Sequence, residues 1–256
     1  MIPIKDNIPT QRLGFVTLGL IAANLVVYIL AIQPGGSFIS GPDAFELVKY
    51  GTIPYALTHS ATHCGLLASG AVACHRHGVP GGDYIPAWGT IFTGMFMHAS
   101  IIHLAGNMIF LWIFGNTVED ALGHIKYLGL YILGGIVALA LQVAVGPHST
   151  DPTLGAAGAI AAVIGGYFVL FPRAKVLAFV PVPLIVTVIE VPAWVILALW
   201  FIEQALFDAF GLTSPGSSGA MAYFAHVGGF AFGLLTIRLL MSKRKRASLP
   251  TPRPAH

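Results

Sequence analysis

The residues of this chain best suited to chemistry stand inside runs that are otherwise apolar. His98, His103, Asn107 and His226 each interrupt such a run, and polar or ionisable groups in that setting are costly and are usually kept for a function. His103 and Asn107 are four residues apart, so on a helix they share one face. Two neighbouring donors of this kind can hold an oxyanion as it develops on a carbonyl, or they can form an ordinary polar contact with another helix. In the segment Ala225-His226-Val227-Gly228-Gly229-Phe230-Ala231-Phe232-Gly233, positions 226, 229 and 233 fall on one helical face. Gly229 and Gly233 form a GxxxG surface that lets a second helix approach closely. The stretch Gly155-Ala156-Ala157-Gly158-Ala159, which presents almost no side-chain bulk, is the expected partner.

The elements that must carry these residues belong in lipid. Of the 256 residues, 56% are hydrophobic and only 9% charged, with a mean hydropathy of +0.80; soluble domains are about a quarter charged. Disorder, collagen and a secreted disulfide scaffold are excluded by the same composition. Crossing the hydrocarbon takes about 20 apolar residues, and uncharged runs predict six spans: 13–32, 89–118, 127–145, 154–171, 191–206 with Glu203 inside it, and 220–237. A signal peptide is the alternative reading of the first, argued against by its length and the lack of a clear cleavage site. Residues 33–88 read as a large extracytoplasmic loop and 176–189, interrupted by Pro181 and Pro183, as a segment at the cytoplasmic surface. Lys5, Arg12, Lys126, Arg173, Lys175, Arg238 and the run Lys243-Arg244-Lys245-Arg246 all fall on one side of this plan. The positive-inside rule therefore places both termini in the cytoplasm. The expected organisation is a cytoplasmic N-terminus at 1–12, a membrane domain at 13–241 and a basic cytoplasmic tail at 242–256 that is disordered towards its end. The net charge of +3 is explained by orientation, and no nucleic-acid partner is expected.

His98-Ala-Ser-Ile-Ile-His103-Leu-Ala-Gly-Asn107, Glu119-Asp-Ala-Leu-Gly123, Gly155-Ala-Ala157-Gly158-Ala and Ala225-His226-Val-Gly-Gly229 together resemble the rhomboid family of intramembrane serine proteases, in order and spacing from about residue 54 to 240. The resemblance implies an all-α polytopic bundle of six transmembrane helices that cleaves transmembrane segments of membrane proteins with a Ser-His dyad. It needs no cofactor and no metal, and its partners are transmembrane substrates and the bilayer; a bacterial inner membrane is the expected location. Carried over residue by residue, His226 is the general base, His103 and Asn107 are oxyanion donors, and Gly155, Gly158, Gly229 and Gly233 are structural. The serine of the family's Gly-x-Ser-Gly motif falls on Ala157, which has no oxygen with which to attack. Either a deliberate serine-to-alanine change or a natural pseudoprotease accounts for it. The resemblance makes Glu119 and Gly123 part of a network capping the helix bundle.

The family pattern does not cover the outer loop, and a Trp-Arg pair that some relatives carry there is absent. His59, His63, Cys64, Cys74, His75 and His77 crowd into that loop. A disulfide between Cys64 and Cys74 is the favoured reading, against metal binding or free thiols. Three functions compete: an intramembrane protease lacking its nucleophile, an inactive protein that binds transmembrane helices, and a small transporter with proton-relaying histidines. The last lacks an internal repeat and paired broken helices.

Overall fold

A computed structural model of the protein describes residues 2–60, 62–77, 85–182, 185–209, 222–241 and 249–252. The basic run 243–246, the end of the tail beyond 252 and the expected start of the sixth span at Ala220 lie outside these residues. In chain order the elements are β1 (Ile2–Asp6), α1 (Phe15–Ile32), α2 (Ala44–Tyr50), α3 (Pro54–Thr58), β2 (His63–Leu66), β3 (Val72–His75) and α4 (Ala87–Phe96). They continue with α5 (Ile101–Leu122), α6 (His124–Val145), α7 (Ala157–Leu170), β4 (Lys175–Val182), β5 (Ile185–Pro192), α8 (Ala193–Ala209) and α9 (Ala222–Leu240).

The chain is a multi-pass integral membrane protein. Helices α1, α5 and α6 and the Tyr223–Leu240 part of α9 are long and apolar enough to cross a membrane, whereas α7 and α8 are shorter apolar helices. Helix α1 shows why both of its faces are apolar. Thr17, Leu20, Asn24, Tyr28 and Ala31 repeat at helical spacing and are buried, while Leu18, Leu25, Val26, Ile29 and Leu30 point outward into what must be lipid. Helix α7 is the centre of the bundle, with every residue from Ala159 to Tyr167 buried. At about 1.5 Å per residue its 14 residues span roughly 21 Å, well short of the hydrocarbon thickness of about 30 Å.

The structure corrects the sequence reading in three places. The expected second span is two helices, α4 and α5, separated at 97–100: Met97 is extended and Ser100 caps α5, its side chain accepting from the His103 N–H. Helix α5 runs on past Val118 to Leu122 and contains a wider turn at Leu111–Gly115. The fourth span opens at Ala157 instead of Leu154, because Gly155 has φ +106° and Thr153 before it bridges to Thr52. The bundle is not purely helical. The proline-interrupted segment after α7 is the antiparallel hairpin β4–β5, and β1 adds to its β4 edge to give the order β1-β4-β5.

That sheet ties the N-terminus to the bundle. Lys5 pairs with Leu177, and buried Asp6 accepts from Thr117 Oγ1 of α5 at 2.8 Å and Tyr167 OH of α7 at 3.0 Å. Next to it, Glu119 at the end of α5 accepts from the Val16 N–H at 2.9 Å, the Thr17 N–H at 2.7 Å and Thr17 Oγ1 at 2.7 Å. These are first-turn amides of α1, which have no intrahelical acceptor, and the carboxylate also meets the positive end of the helix dipole. His124 Nδ1 completes the cluster. Gly123, at φ +82°, makes the left-handed turn that reverses α5 into α6. At this same end Lys126 Nζ donates to the Leu240 carbonyl, and Arg12 shares a small cavity with Leu249.

Glu119→Ala leaves the two Thr17 donors buried and the partly buried Val16 N–H without an acceptor, each buried one costing about 1–3 kcal/mol. The variant is expected to lose at least about 2 kcal/mol of stability, read as a lowered unfolding midpoint in detergent. Burial raises the Asp6 carboxyl above its ordinary value, and the Thr117 and Tyr167 bonds offset this only in part. A raised folded-state value means that the folded protein holds the proton longer than the unfolded chain. Stability is therefore expected to fall as pH rises from about 4 through that raised value. Asp6→Asn is expected to flatten this segment of the stability-against-pH curve measured by denaturant titration.

Candidate active site

The site is built where the outer loop, the start of α7 and the start of α9 meet. The loop is stitched down by backbone: the Thr52 N–H donates to the Thr153 carbonyl at 3.0 Å and the Thr153 N–H to the Thr52 carbonyl at 2.7 Å. Thr52 Oγ1 donates to the Thr90 carbonyl at 2.7 Å and the Gly155 N–H to the Gly94 carbonyl at 2.9 Å. These bonds fix the approach to α7. A Cβ at Gly155 would stand 2.9 Å from His103 Cε1, 3.0 Å from His103 Nε2 and 3.7 Å from Asn107 Nδ2. His103 and Asn107 thus press directly on the backbone two residues before Ala157, in a space that only glycine leaves free.

Ala157 is the first residue of α7, whose N-terminus has no side-chain cap. The first-turn amides of an uncapped helix, with the positive end of its dipole, favour a negative group. Ala157 and His226 line one cavity of about 40 Å³, together with Thr52, Met95, Gly155, Gly158 and Ala225. A cavity of that size admits a water molecule.

His226 reaches this cavity because α9 lies against α7 with almost nothing between them. A methyl group at Gly229 would overlap the Gly158 carbonyl, and one at Gly233 the Ala162 carbonyl. From the other helix, a methyl at Gly165 would overlap the Phe230 carbonyl. Gln142 of α6 accepts from the Ala225 N–H through Oε1 at 3.1 Å, which anchors the first turn of α9 beside the histidine. His226 is 4% exposed; Trp200 of α8 lies against its ring with centroids 5.4 Å apart, and its Nδ1 has no hydrogen-bond partner among the described residues.

The structure therefore brings together Ala157, His226, Gly155, Gly158, His103 and Asn107, with Gly229 and Gly233 as the contact that admits the histidine. Cys64 and Cys74 stand apart from this cavity, opposite each other in the β2–β3 hairpin and joined by a disulfide. Of the loop histidines, His59 stacks on Tyr55 at 3.8 Å and neighbours His148. Sequence reasoning assigned no role to Gln142, Trp200 or His98. Gln142 was the most findable of them, as a lone amide in an uncharged span.

The fold and site define a polytopic membrane protein with a small, largely apolar cavity walled by glycines and bearing a histidine. A family model described as Rhomboid domain matches residues 86–243, well over half the chain, and the chain belongs to the rhomboid family. It is similar to Rhomboid protein 1, mitochondrial, of Saccharomyces cerevisiae, 34% identical over 158 residues that cover 60% of this chain and 42% of the yeast protein. It is also similar to Presenilin-associated rhomboid-like protein A, mitochondrial, of Danio rerio, 36% identical over 94 residues, or 35% of this chain and 24% of that one. A third relative is Rhomboid protease GluP of Bacillus subtilis, 32% identical over 104 residues, or 40% of this chain and 20% of that protein. The chain matches less than half the length of each of these relatives. Two of the three names are mitochondrial, so the expectation of a bacterial inner membrane finds no support among them.

Gly229→Ala forces α9 away from the Gly158 carbonyl. It is expected to cost about 1–3 kcal/mol, as overpacking does, and to lower the unfolding midpoint in detergent, whereas Gly19→Ala on α1, where an added Cβ meets nothing within 4 Å, is expected to leave it unchanged.

Proposed function

We propose that this chain is an intramembrane serine endopeptidase scaffold whose attacking oxygen is replaced by the methyl group of Ala157. The observation that carries this reading is that Ala157 and His226 share one cavity while His103 and Asn107 abut the same loop at Gly155. In the active form a hydroxyl at 157 attacks the scissile carbonyl of a substrate transmembrane segment. His226 takes its proton and later hands it to the leaving amine. His103, Asn107 and the amide at 157 hold the oxyanion. The side chains at the site are His, Asn, Thr and apolar residues, and with a hydroxyl at 157 they suffice for acyl transfer by this route without a metal or cofactor. The cations at the Lys5, Lys126 and Lys175 end favour that end and both termini in the cytoplasm or its equivalent.

As it stands the chain binds transmembrane segments without cutting them. Ala157→Ser, purified in detergent or liposomes with single-span substrates, is expected to produce cleavage and to label with a fluorophosphonate. His226→Ala in that background is expected to abolish both, since an unassisted serine is a weak nucleophile. Asn107→Ala is expected to slow cleavage by roughly 10² to 10³. A folded Ala157→Ser protein that neither cuts nor labels would leave the chain as a binding protein for transmembrane helices.

A further inference from the structure

We infer that His98 is a positioning residue that sets which end of the Asn107 amide faces the site. The inference rests on the reading of Asn107 as an oxyanion donor. His98 lies in the 97–100 break between α4 and α5 and is 0% exposed. The break matters because the last carbonyls of α4 have no intrahelical donor, and one of them, that of Phe96, stands 3.1 Å from His98 Nδ1. A carbonyl can only accept, so Nδ1 carries the ring proton. A ring buried this deeply, between an amide and the His103 ring at 5.0 Å, is neutral, since burying an unpaired charge is far costlier than burying the neutral ring. Its Nε2 is then a bare lone pair, 2.9 Å from Asn107 Nδ2.

Only the NH2 end of an amide can bond to a lone pair. Turned over, Asn107 would set Oδ1 against Nε2, two acceptors facing each other where both side chains are buried. The Phe96 carbonyl therefore fixes the His98 tautomer, and the tautomer fixes the amide. One N–H of Asn107 is held by His98. The second belongs to the same Nδ2, which stands 3.7 Å from where a Cβ of Gly155 would be, and is left for the oxyanion. This is the logic by which a second group fixes a catalytic imidazole, applied to an oxyanion donor.

The first test uses the chain as it is. In long-range 1H–15N spectra of 15N-histidine-labelled protein in micelles, His98 is expected as the Nδ1–H tautomer, with an Nε2 resonance that shifts in Asn107→Ala. The Nε2–H tautomer, or an Nε2 indifferent to Asn107, overturns the inference whatever the activity. The second test is a cycle in the Ala157→Ser background. His98→Phe removes the lone pair and is expected to lower kcat about 10- to 100-fold with KM little changed. His98→Gln, whose carbonyl can accept in place of Nε2, is expected to recover most of that loss. Once Asn107→Ala is present, His98→Phe is expected to cost nothing more. Losses that add, or a Gln variant no better than Phe, would mean that His98 serves packing alone. If Ala157→Ser cuts nothing, the protease reading fails by itself and the spectrum alone decides how the amide is held.

Discussion

The approach of α9 to α7 governs the rest of the structure. Carbonyls of Gly158 and Ala162 occupy the positions that side chains at 229 and 233 would need, so the two helices touch backbone to backbone. In lipid there is no hydrophobic drive between helices, and close packing of small residues supplies the association. Helix α6 joins by the same means, with Gly134 against Ala162 and Gly135 against Ala159. An imidazole on α9 can then reach the start of α7 without a long side chain to carry it. Stability and the proposed chemistry rest on the same contact.

A second constraint is the treatment of buried polar groups. Glu119 satisfies the first amides of α1, Asp6 gathers hydroxyls from two helices, and Gln142 takes an amide of α9. Glu119 and Gln142 take first-turn amides, which lack intrahelical acceptors, while Asp6 at the end of β1 takes side-chain hydroxyls. Five buried side-chain atoms have no partner among the described residues: Nδ1 of His103 and of His226, which belong to the proposed site, and Asn24 Oδ1, Tyr127 OH and Tyr131 OH, which do not.

Much of this was legible in the sequence, and the parts that were not share a cause. Apolar runs locate spans because the bilayer imposes a length, and the spacing of His226, Gly229 and Gly233 marks a face because helices have a fixed period. The break at 97–100 was invisible, since Met97, His98, Ala99 and Ser100 sit in an apolar run and only the Ser100 cap betrays a helix start. The strands were missed because Val176 to Ile189 contains prolines, which argue against a central strand, and because β1 is supplied from the far end of the chain. His98 was named as an oddity without a role, as its meaning depends on a carbonyl that the break exposes. The wider turn in α5 left no mark, nor did the choice of Trp200 as the ring against His226, because both are settled by three-dimensional packing.

The three-stranded sheet has a consequence for how the protein is made. Among the described residues strand β1 pairs with β4, which begins at Lys175, so the backbone of residues 2–6 has no strand partner until some 170 further residues have been synthesised. At ribosomal rates of about 5–20 residues per second the wait is roughly ten to thirty seconds. During that interval α1, α5, α6 and α7 are already entering the membrane, and Asp6 awaits the hydroxyls of Thr117 and Tyr167 that will hold it. The strand can close over α1, α5, α6 and α7 while α8 and α9 are still to come, although its residues emerge first.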